Sequence, residues 1–289
     1  MGYQVKVIED SVTPAGARLT TMQVTYPRFL LPEMNTHRAF SRSYASNRAI
    51  PIRKVIEGIA ADPFIPEFVG KNQPGMQANE ELTGEAREEF ERLWLKGMQS
   101  AVDTALKMID TGAAKQTVNR ILEPYQWTTG IITSTEWDNF FGLRCHLDAQ
   151  PEIRTIAEMM YEALKKSTPK ICVVDLEDDY DGDITVDNMH TPYVSMEERK
   201  EIAYTRGKLE LLKVSAARCC RVSYLKHDQT KPSVEEDMKL FERLVTSNPI
   251  HASPLEHVAV PLEFRHKSSR NFMGWTQFRE YYERCERRE

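Results

Sequence analysis

A long helical pattern over residues 80–109 is the strongest constraint on what this chain can fold into. Its apolar residues recur at steps of three and four, which places them on one face of a helix, and Gly112 is the predicted C-cap. Further helical patterns follow the same spacing over residues 32–40, 155–166, 196–217, 233–245 and 271–284.

Two other segments show the period-two alternation that is typical of strands. Residues 18–26 alternate β-branched and aromatic side chains until Pro27 ends the pattern, and residues 256–264 alternate in a similar way. Helices outnumber strands, and no strand–helix rhythm repeats along the chain. The sequence therefore predicts an α+β fold.

Composition limits the class of protein. The 289 residues, 41% of them hydrophobic, are enough for a sizeable core in one large or two small domains. The 38 basic and 43 acidic side chains give a net charge of −5, which argues against a nucleic-acid binder or a polybasic membrane binder. No apolar run approaches the ~18 residues of a membrane span, and the N-terminal segment lacks a signal-peptide core. Since the five cysteines include no CxxC pair, we expect reduced thiols and a cytoplasmic protein.

The densest set of candidate binding residues lies in residues 35–53. Arginine guanidinium groups bind phosphate oxygens through paired hydrogen bonds, and serine hydroxyls can complete such a cradle. The segment combines one histidine with arginines and serines, at His37, Arg38, Arg42, Arg48, Arg53, Ser41, Ser43 and Ser46. It predicts an anion site for a nucleotide, and a solvated basic loop is the alternative that the sequence leaves open.

A second candidate segment spans residues 119–154. It places arginines, a histidine and an asparagine among aromatic residues, namely Arg120, Arg144, Arg154, His146, Asn139, Trp127, Trp137, Phe140 and Phe141. Aromatic rings beside guanidinium groups suit a planar, charged ligand. The alternative is an amphipathic helix with its aromatic residues in the core.

Three weaker signals favour structural interpretations. His251 and His257 flank a predicted strand, where a histidine is usually a satisfied structural group. Cys145 and His146 are adjacent, so on a helix they would point about 100° apart, a poor geometry for a nucleophile and its base. Residues 174–192 form a predicted acidic loop. Residues 177–188 within it loosely resemble a calcium loop, but their ligand pattern is incomplete, and we expect an exposed acidic loop. No metal site is predicted.

Four short blocks carry a resemblance to a known family. They are residues 36–48, 139–154, 221–223 and 253–257. They resemble, in that order, the Arg-His-Arg, Asn-Phe-x-x-Leu-Arg, Arg-Val-Ser and Glu-His motifs of the flavin-dependent thymidylate synthases. The match of residues 139–154 is the most specific of the four.

The order of these blocks is unusual for that family. Family members usually carry the Arg-Val-Ser and Glu-His blocks first, whereas here those blocks lie within residues 215–289. This order predicts a circular permutation, which is tolerated where the original termini lie close together at the surface. A duplicated strand–helix unit is the alternative. The resemblance implies one domain over residues 1–289, with a mixed or antiparallel sheet flanked by long helices.

The resemblance also implies an activity. A one-carbon unit would pass from methylenetetrahydrofolate to C5 of dUMP, giving dTMP, and FAD reduced by NADPH would supply the hydride. Arg144 matches the family arginine that contacts the pyrimidine, where it would act catalytically by stabilising negative charge on the ring. The implied dUMP contacts are Ser46, Asn47, Arg48, Arg120 and Arg144. The implied FAD and folate contacts are His37, Arg38, Ser41, Asn139, Ser223 and His257.

Family members are homotetramers whose sites combine residues from several subunits. The resemblance therefore implies a homo-oligomer, a dimer or a tetramer. Neither nucleic acid nor a membrane is an expected partner.

Several positions depart from the family pattern. Thr36 replaces the first arginine of the Arg-His-Arg motif, Tyr44 replaces a glutamate, and Glu33 replaces a glutamine. Thr133 and Thr135 stand where the family has an asparagine and an arginine. Two alternatives follow: a related dUMP or dCMP methylase or hydroxymethylase, because a carboxylate can accept from a cytosine amino group, and a nucleotide-binding homologue that has lost catalysis.

Overall fold

A five-stranded mixed sheet forms the centre of the computed structural model, which describes residues 2–48, 50–74, 78, 80–173, 188–222, 230 and 232–286. The strands are β1 (Gln4–Val12), β2 (Arg18–Pro27), β3 (Ser41–Tyr44), β4 (Trp127–Ser134) and β5 (Lys170–Ile171). Their order is β3-β4-β2-β1-β5, and all pairs are antiparallel except the parallel pair of β1 and β5. The predicted α+β class and the strand over residues 18–26 are confirmed.

Strand β2 is buried on both faces, and its side chains alternate between two different surroundings. Met22, Val24 and Tyr26 belong to the main apolar core on one face. Thr21 lies on the other face, directly opposite Thr133 of β4. The sheet therefore has one apolar face and one face on which hydroxyl groups need hydrogen-bond partners.

Three helices cover the apolar face. They are α1 (Leu31–Met34), α5 (Asp138–Arg144) and α6 (Pro151–Lys166). Helix α6 presents Ile153, Ile156 and Met160 to the core, the three- and four-residue spacing that places side chains on one face.

The described residues between 188 and 286, which we call the C-terminal half, cover the other face. Its elements are α7 (Met196–Arg206), α8 (Lys208–Cys220), α9 (Val234–Val245), a 3-10 turn at Ser253–His257, β6 (Ala259–Pro261), β7 (Ser268–Ser269), β8 (Phe272–Met273), β9 (Trp275–Gln277) and α10 (Phe278–Glu286). Buried Glu9 of β1 anchors this half, since Arg199 of α7 lies 2.5 Å from its carboxylate. Lys170 of β5 lies 2.7 Å from the same carboxylate. Two cations on one buried carboxylate hold the pKa of Glu9 down to about 2, against the cost of burial.

A separate helical lobe lies beside the sheet. It contains α2 (Ile52–Ala61), α3 (Glu85–Asp110), α4 (Lys115–Val118) and a 3-10 turn at Asn119–Tyr125. Ile59, Val102 and Leu122 form its buried core. Within the described part of the chain, no helix is both long and apolar enough to cross a membrane.

The structure differs from the sequence predictions where tertiary contacts override a local pattern. The predicted helix 196–217 is two helices, because Gly207 breaks it with φ of 99°. The predicted strand 256–264 is reduced to β6, and the first part of the predicted helix 271–284 is instead two short strands. The predicted helix 32–40 is the single turn of α1, while β1 and β4 were not predicted.

Gly130 of β4 offers a test of how tightly β3 packs on the sheet. A Cβ there would lie 2.1 Å from Cδ1 of Tyr44 and 3.0 Å from the carbonyl oxygen of Ser43. We expect Gly130→Ala to lower the free energy of unfolding by about 1–3 kcal/mol, measured by urea denaturation, because the added methyl overpacks this contact.

Gly58→Ala is the matched control. Gly58 lies in α2 with nothing within 4 Å of an added Cβ, so this change should stabilise by about 0.5–1 kcal/mol through helix propensity. If the two variants unfold at the same urea concentration, the β3–β4 packing described here is incorrect.

Candidate functional site

The first group of predicted site residues forms what we call the arginine–histidine cluster, made of Glu33, His37, Arg42 and Arg144. Arg144, at the end of α5, donates from Nε to Nε2 of His37 over 3.1 Å. Its Nη1 lies 3.6 Å from a carboxylate oxygen of Glu33 on α1. Arg42 of β3 donates to the carbonyl oxygens of Met34 and His37, which fixes the loop that carries the histidine.

His37 is held as a neutral ring. Burial, with the positive charges of Arg144 and Arg42 beside it, lowers the pKa of His37 to about 4. Because a neutral ring accepts at Nε2 from Arg144, its hydrogen sits on Nδ1. The edge of this ring meets Phe140 at a centroid distance of 4.9 Å, so packing as well as hydrogen bonding sets the direction of the Arg144 guanidinium.

The second group of predicted site residues consists of Ser46, Asn47, Arg48 and Arg120. It lies around what we call the amide cluster, formed by Asn47, Asn119 and Gln126. Asn47 donates from Nδ2 to Oε1 of Gln126 over 3.1 Å, and Asn119 donates to the carbonyl oxygen of Asn47 over 3.0 Å. These buried contacts place the neighbouring residues Arg48 and Arg120 on adjacent segments of chain. Both arginines are exposed.

Within the second group, two further contacts shape the surface. The hydroxyl of exposed Ser46 accepts from the backbone N–H of Arg48 over 3.2 Å, which forms a tight turn. Arg120 donates to Glu123 over 3.0 Å, yet its side chain remains 72% exposed. An exposed ion pair of this kind contributes little to stability, so a phosphate can compete for the guanidinium.

Within one chain, the two groups lie at opposite ends of β4. The amide cluster contacts Gln126, which directly precedes β4, whereas Ser134, its last residue, donates to the carbonyl oxygen of Ala39 beside His37. The eight residues of β4 span roughly 25 Å at about 3.3 Å per residue. The structure thus brings the backbone segments of Arg48 and Arg120 together and Arg144 close to His37, and it separates the two pairs along the strand.

A third feature, the hydroxyl–histidine row, crosses the polar face of the sheet. It runs from Ser11 through His190, Thr21, Thr133 and His257 to Ser43. Every link measures between 2.6 and 3.0 Å. The four hydroxyls come from β1, β2, β4 and β3, and the C-terminal half of the chain supplies both imidazoles. The row therefore satisfies the sheet's polar side chains and fastens the two halves together.

Both histidines of the row are fully buried and neutral. Burial, together with the nearby His190 ring, lowers the pKa of His257 to about 3. For His190, burial and the charges of Lys170 and Arg199 outweigh the attraction of Glu9 and lower the pKa to about 4. Protonating either ring would place a charge in the core and remove an acceptor from the row.

Apart from His37, which belongs to the arginine–histidine cluster, the predicted cofactor contacts fall into three sets. Arg38 and Asn139 are exposed and can reach a ligand. Ser41 and His257 are buried among internal partners: the Ser41 hydroxyl accepts from Asn271 and Gln277, and both ring nitrogens of His257 belong to the row. Ser223 lies outside the described residues, as do residues 174–187 of the predicted acidic segment 174–192.

His190 and the interactions of Asn271 and Gln277 were not predicted from the sequence. His190 fell inside the predicted acidic loop, and the latter two fell inside a predicted helix. Runs of threonine and serine at alternating strand positions, such as Thr21 and Thr133, are the one signal for buried acceptors on a sheet face. That signal does not indicate which histidine, distant in sequence, provides those acceptors.

Comparison with known proteins identifies the family of the chain. The model of the thymidylate synthase complementing protein family matches residues 13–170, more than half of the sequence. The chain belongs to that family, and the resemblance predicted from its motifs is confirmed. No curated protein matches the chain.

Two solved structures are similar in fold. Both are of the UMP/dUMP methylase PolB from Streptomyces cacaoi, one bound with 5-bromo-UMP and one with 5-bromo-dUMP. The first is 17% identical with a TM-score of 0.49, covering 57% of this chain and 89% of the other. The second is 16% identical with a TM-score of 0.48, covering 57% and 90%. The family match spans both candidate groups, and the C-terminal half lies outside it, so the permutation stays a prediction.

The neutral histidines of the row make acid stability a test of this feature. In the unfolded chain, histidine takes up a proton near pH 6.5, whereas in the folded chain His190 and His257 do so only near pH 4 and 3. The contribution of these two neutral rings to the free energy of unfolding is therefore fully present above pH 6.5. As the pH falls below 6.5, the unfolded state binds protons first, and the free energy of unfolding should fall by about 1.4 kcal/mol per pH unit for each histidine.

Urea denaturation between pH 7.5 and 5 measures this slope. His257→Asn should reduce the slope, since asparagine does not titrate, while the exposed His251→Gln should leave it unchanged. A slope that is the same in all three proteins would show that the row does not hold neutral imidazoles.

Proposed function

We propose that this protein transfers a one-carbon unit from methylenetetrahydrofolate to C5 of dUMP, giving dTMP. The observation that carries this proposal is the arginine–histidine cluster in a chain of the thymidylate synthase complementing family. Arg144 keeps a fixed direction through His37 and is 23% exposed. It is thus a preorganised donor that a ligand can reach.

In this proposal Arg144 acts on the pyrimidine. C5 of uracil is a weak nucleophile, so the site must polarise the ring. A guanidinium aimed at a ring carbonyl oxygen stabilises the negative charge that develops there, as an oxyanion hole does. Neutral His37 serves this step, because a protonated ring would repel Arg144 and could no longer accept its Nε hydrogen.

The second group supplies the phosphate contacts in this proposal. Arg48 and Arg120 offer paired donors to phosphate oxygens, and the turn at Ser46 and Asn47 holds Arg48 in place. Since the two groups are separated along β4, we propose that each complete site takes the arginine–histidine cluster from one chain and the phosphate group from another. This agrees with the homo-oligomer that the family resemblance implies.

FAD is the cofactor in this proposal, with NADPH as reductant. Of the predicted contacts, Arg38 and Asn139 suit the group best, because both are exposed beside the arginine–histidine cluster along the chain. Bound FAD would supply the hydride that converts the transferred carbon to a methyl group.

Turnover by purified protein tests the activity. We expect flavin absorption bands, release of FAD on heating, and dTMP as the mass-spectrometric product from dUMP, methylenetetrahydrofolate and NADPH. Arg144→Ala should lower kcat by about 10²- to 10³-fold, because it removes a transition-state donor. Its flavin should remain bound.

The matched control is Arg92→Ala, an exposed arginine on α3 that pairs with Glu89. It should leave kcat unchanged. Failure of the wild-type protein to make dTMP would reject the activity, and loss of flavin from a folded Arg144→Ala variant would place Arg144 in the cofactor site instead.

Mixed oligomers test the sharing of sites between chains. Arg48→Ala and Arg144→Ala should each be inactive alone. When the two are co-expressed, a mixed pair of chains forms one intact site and one doubly defective site. Random assembly makes about half of all pairs mixed, so the activity of the whole preparation should return to about a quarter of the wild-type value. Tagged subunits purified in tandem would confirm mixing. Mixed oligomers without recovered activity would show that both groups serve one chain's own site.

A further inference from the structure

Glu33 places a carboxylate beside the guanidinium that the proposed function aims at the base. Its Oε2 atom lies 3.6 Å from Nη1 of Arg144, and the two side chains are 35% and 23% exposed. Glu33 lies on α1 and Arg144 at the end of α5, so the pair joins two separate elements. Both groups retain a surface that a ligand can contact.

The hydrogen-bonding capacity of this pair is narrowly defined. His37 occupies Nε of Arg144, which leaves the two Nη groups as donors. An ionised carboxylate accepts hydrogen bonds and donates none. The cluster therefore presents one donor group next to one acceptor group, a pattern that fits a ligand edge carrying an N–H beside a carbonyl oxygen.

The pyrimidine bases differ at this edge. Uracil has N3–H between two carbonyl oxygens, so it satisfies the pair whichever carbonyl faces Arg144. Cytosine has an unprotonated N3, whose lone pair would face the carboxylate in the same position. Cytosine satisfies the pair only in a shifted position, with its 4-amino group at Glu33 and its N3 at Arg144. An acceptor set against a buried or half-buried acceptor loses a hydrogen bond and adds repulsion.

We infer that Glu33 is the specificity-determining residue of the base pocket, where its carboxylate accepts the N3–H of uracil while Arg144 donates to a neighbouring carbonyl oxygen. This inference rests on the proposed function, since it requires that Arg144 contacts the base. It assigns to the site a uracil nucleotide in the position that places N3–H at Glu33 and a carbonyl oxygen at Arg144. The opposite arrangement, with Glu33 accepting from the 4-amino group of cytosine, is an outcome that the experiment distinguishes.

The test compares three nucleotides: dUMP, dCMP and N3-methyl-dUMP. For each we would measure kcat/KM for one-carbon transfer, and the dissociation constant by calorimetry. Wild-type protein should favour dUMP over the other two by at least about 10- to 100-fold, the usual effect of one unsatisfied charged hydrogen bond.

Glu33→Gln supplies the decisive comparison. Its amide can donate as well as accept, so it can pair with the cytosine N3, and the dUMP-to-dCMP ratio should narrow by about 10-fold or more. Glu201→Gln, an exposed glutamate on α7, is the matched control and should keep the wild-type ratio. If Glu33 has a purely structural role, Glu33→Gln would change kcat/KM for all three nucleotides by the same factor and leave the dUMP-to-dCMP ratio unchanged.

The outcomes separate this inference from the proposed function. Wild-type preference for dCMP, equal use of N3-methyl-dUMP, or an unchanged ratio in Glu33→Gln would each overturn the role of Glu33. If no nucleotide accepts a one-carbon unit, the proposed function fails, and the three dissociation constants still decide whether Glu33 selects uracil.

Discussion

The polar face of the central sheet is the constraint on which the rest of the structure depends. Strands β1 to β4 bury hydroxyl groups there, and a buried hydroxyl without a partner destabilises the fold. Two neutral imidazoles, His190 and His257, satisfy these hydroxyls. Because both rings come from the C-terminal half, the sheet and that half complete each other. The arginine–histidine cluster then lies at one end of a sheet that is fixed on both faces.

The same principle, a neutral imidazole held by burial, operates at two places with different consequences. In the row, both ring nitrogens have protein partners, so the imidazoles are structural. In the cluster, His37 uses one nitrogen to orient Arg144, whose Nη groups stay accessible. The difference lies in the partner: a guanidinium has donors left over after one is satisfied, whereas a hydroxyl does not. Accessibility of the Arg144 donors is what makes the cluster a candidate site.

Prediction from the sequence succeeded where a pattern was long or a motif was specific. The α+β class, β2, the long helix α3 and the helices α6 and α9 follow from periodicity. The motif around residues 139–154 indicated the family. Prediction failed for β4, which lies in a segment interpreted as a binding segment or an amphipathic helix. It also failed for residues 271–277, where β8 pairs with β7 and β9 pairs with β6.

The sequence by itself determined which residue types are present at which spacing, and thereby the family and the candidate arginines. Only the tertiary structure decided how those residues are grouped. The segments that carry Arg48 and Arg120 meet because the Asn119 side chain donates to the backbone carbonyl oxygen of Asn47, which is distant in sequence. Glu33 meets Arg144 because α1 and α5 pack on the same face of the sheet. Local propensity acts over a few residues, whereas these pairings depend on hydrogen bonds and packing between segments about 70 to 110 residues apart.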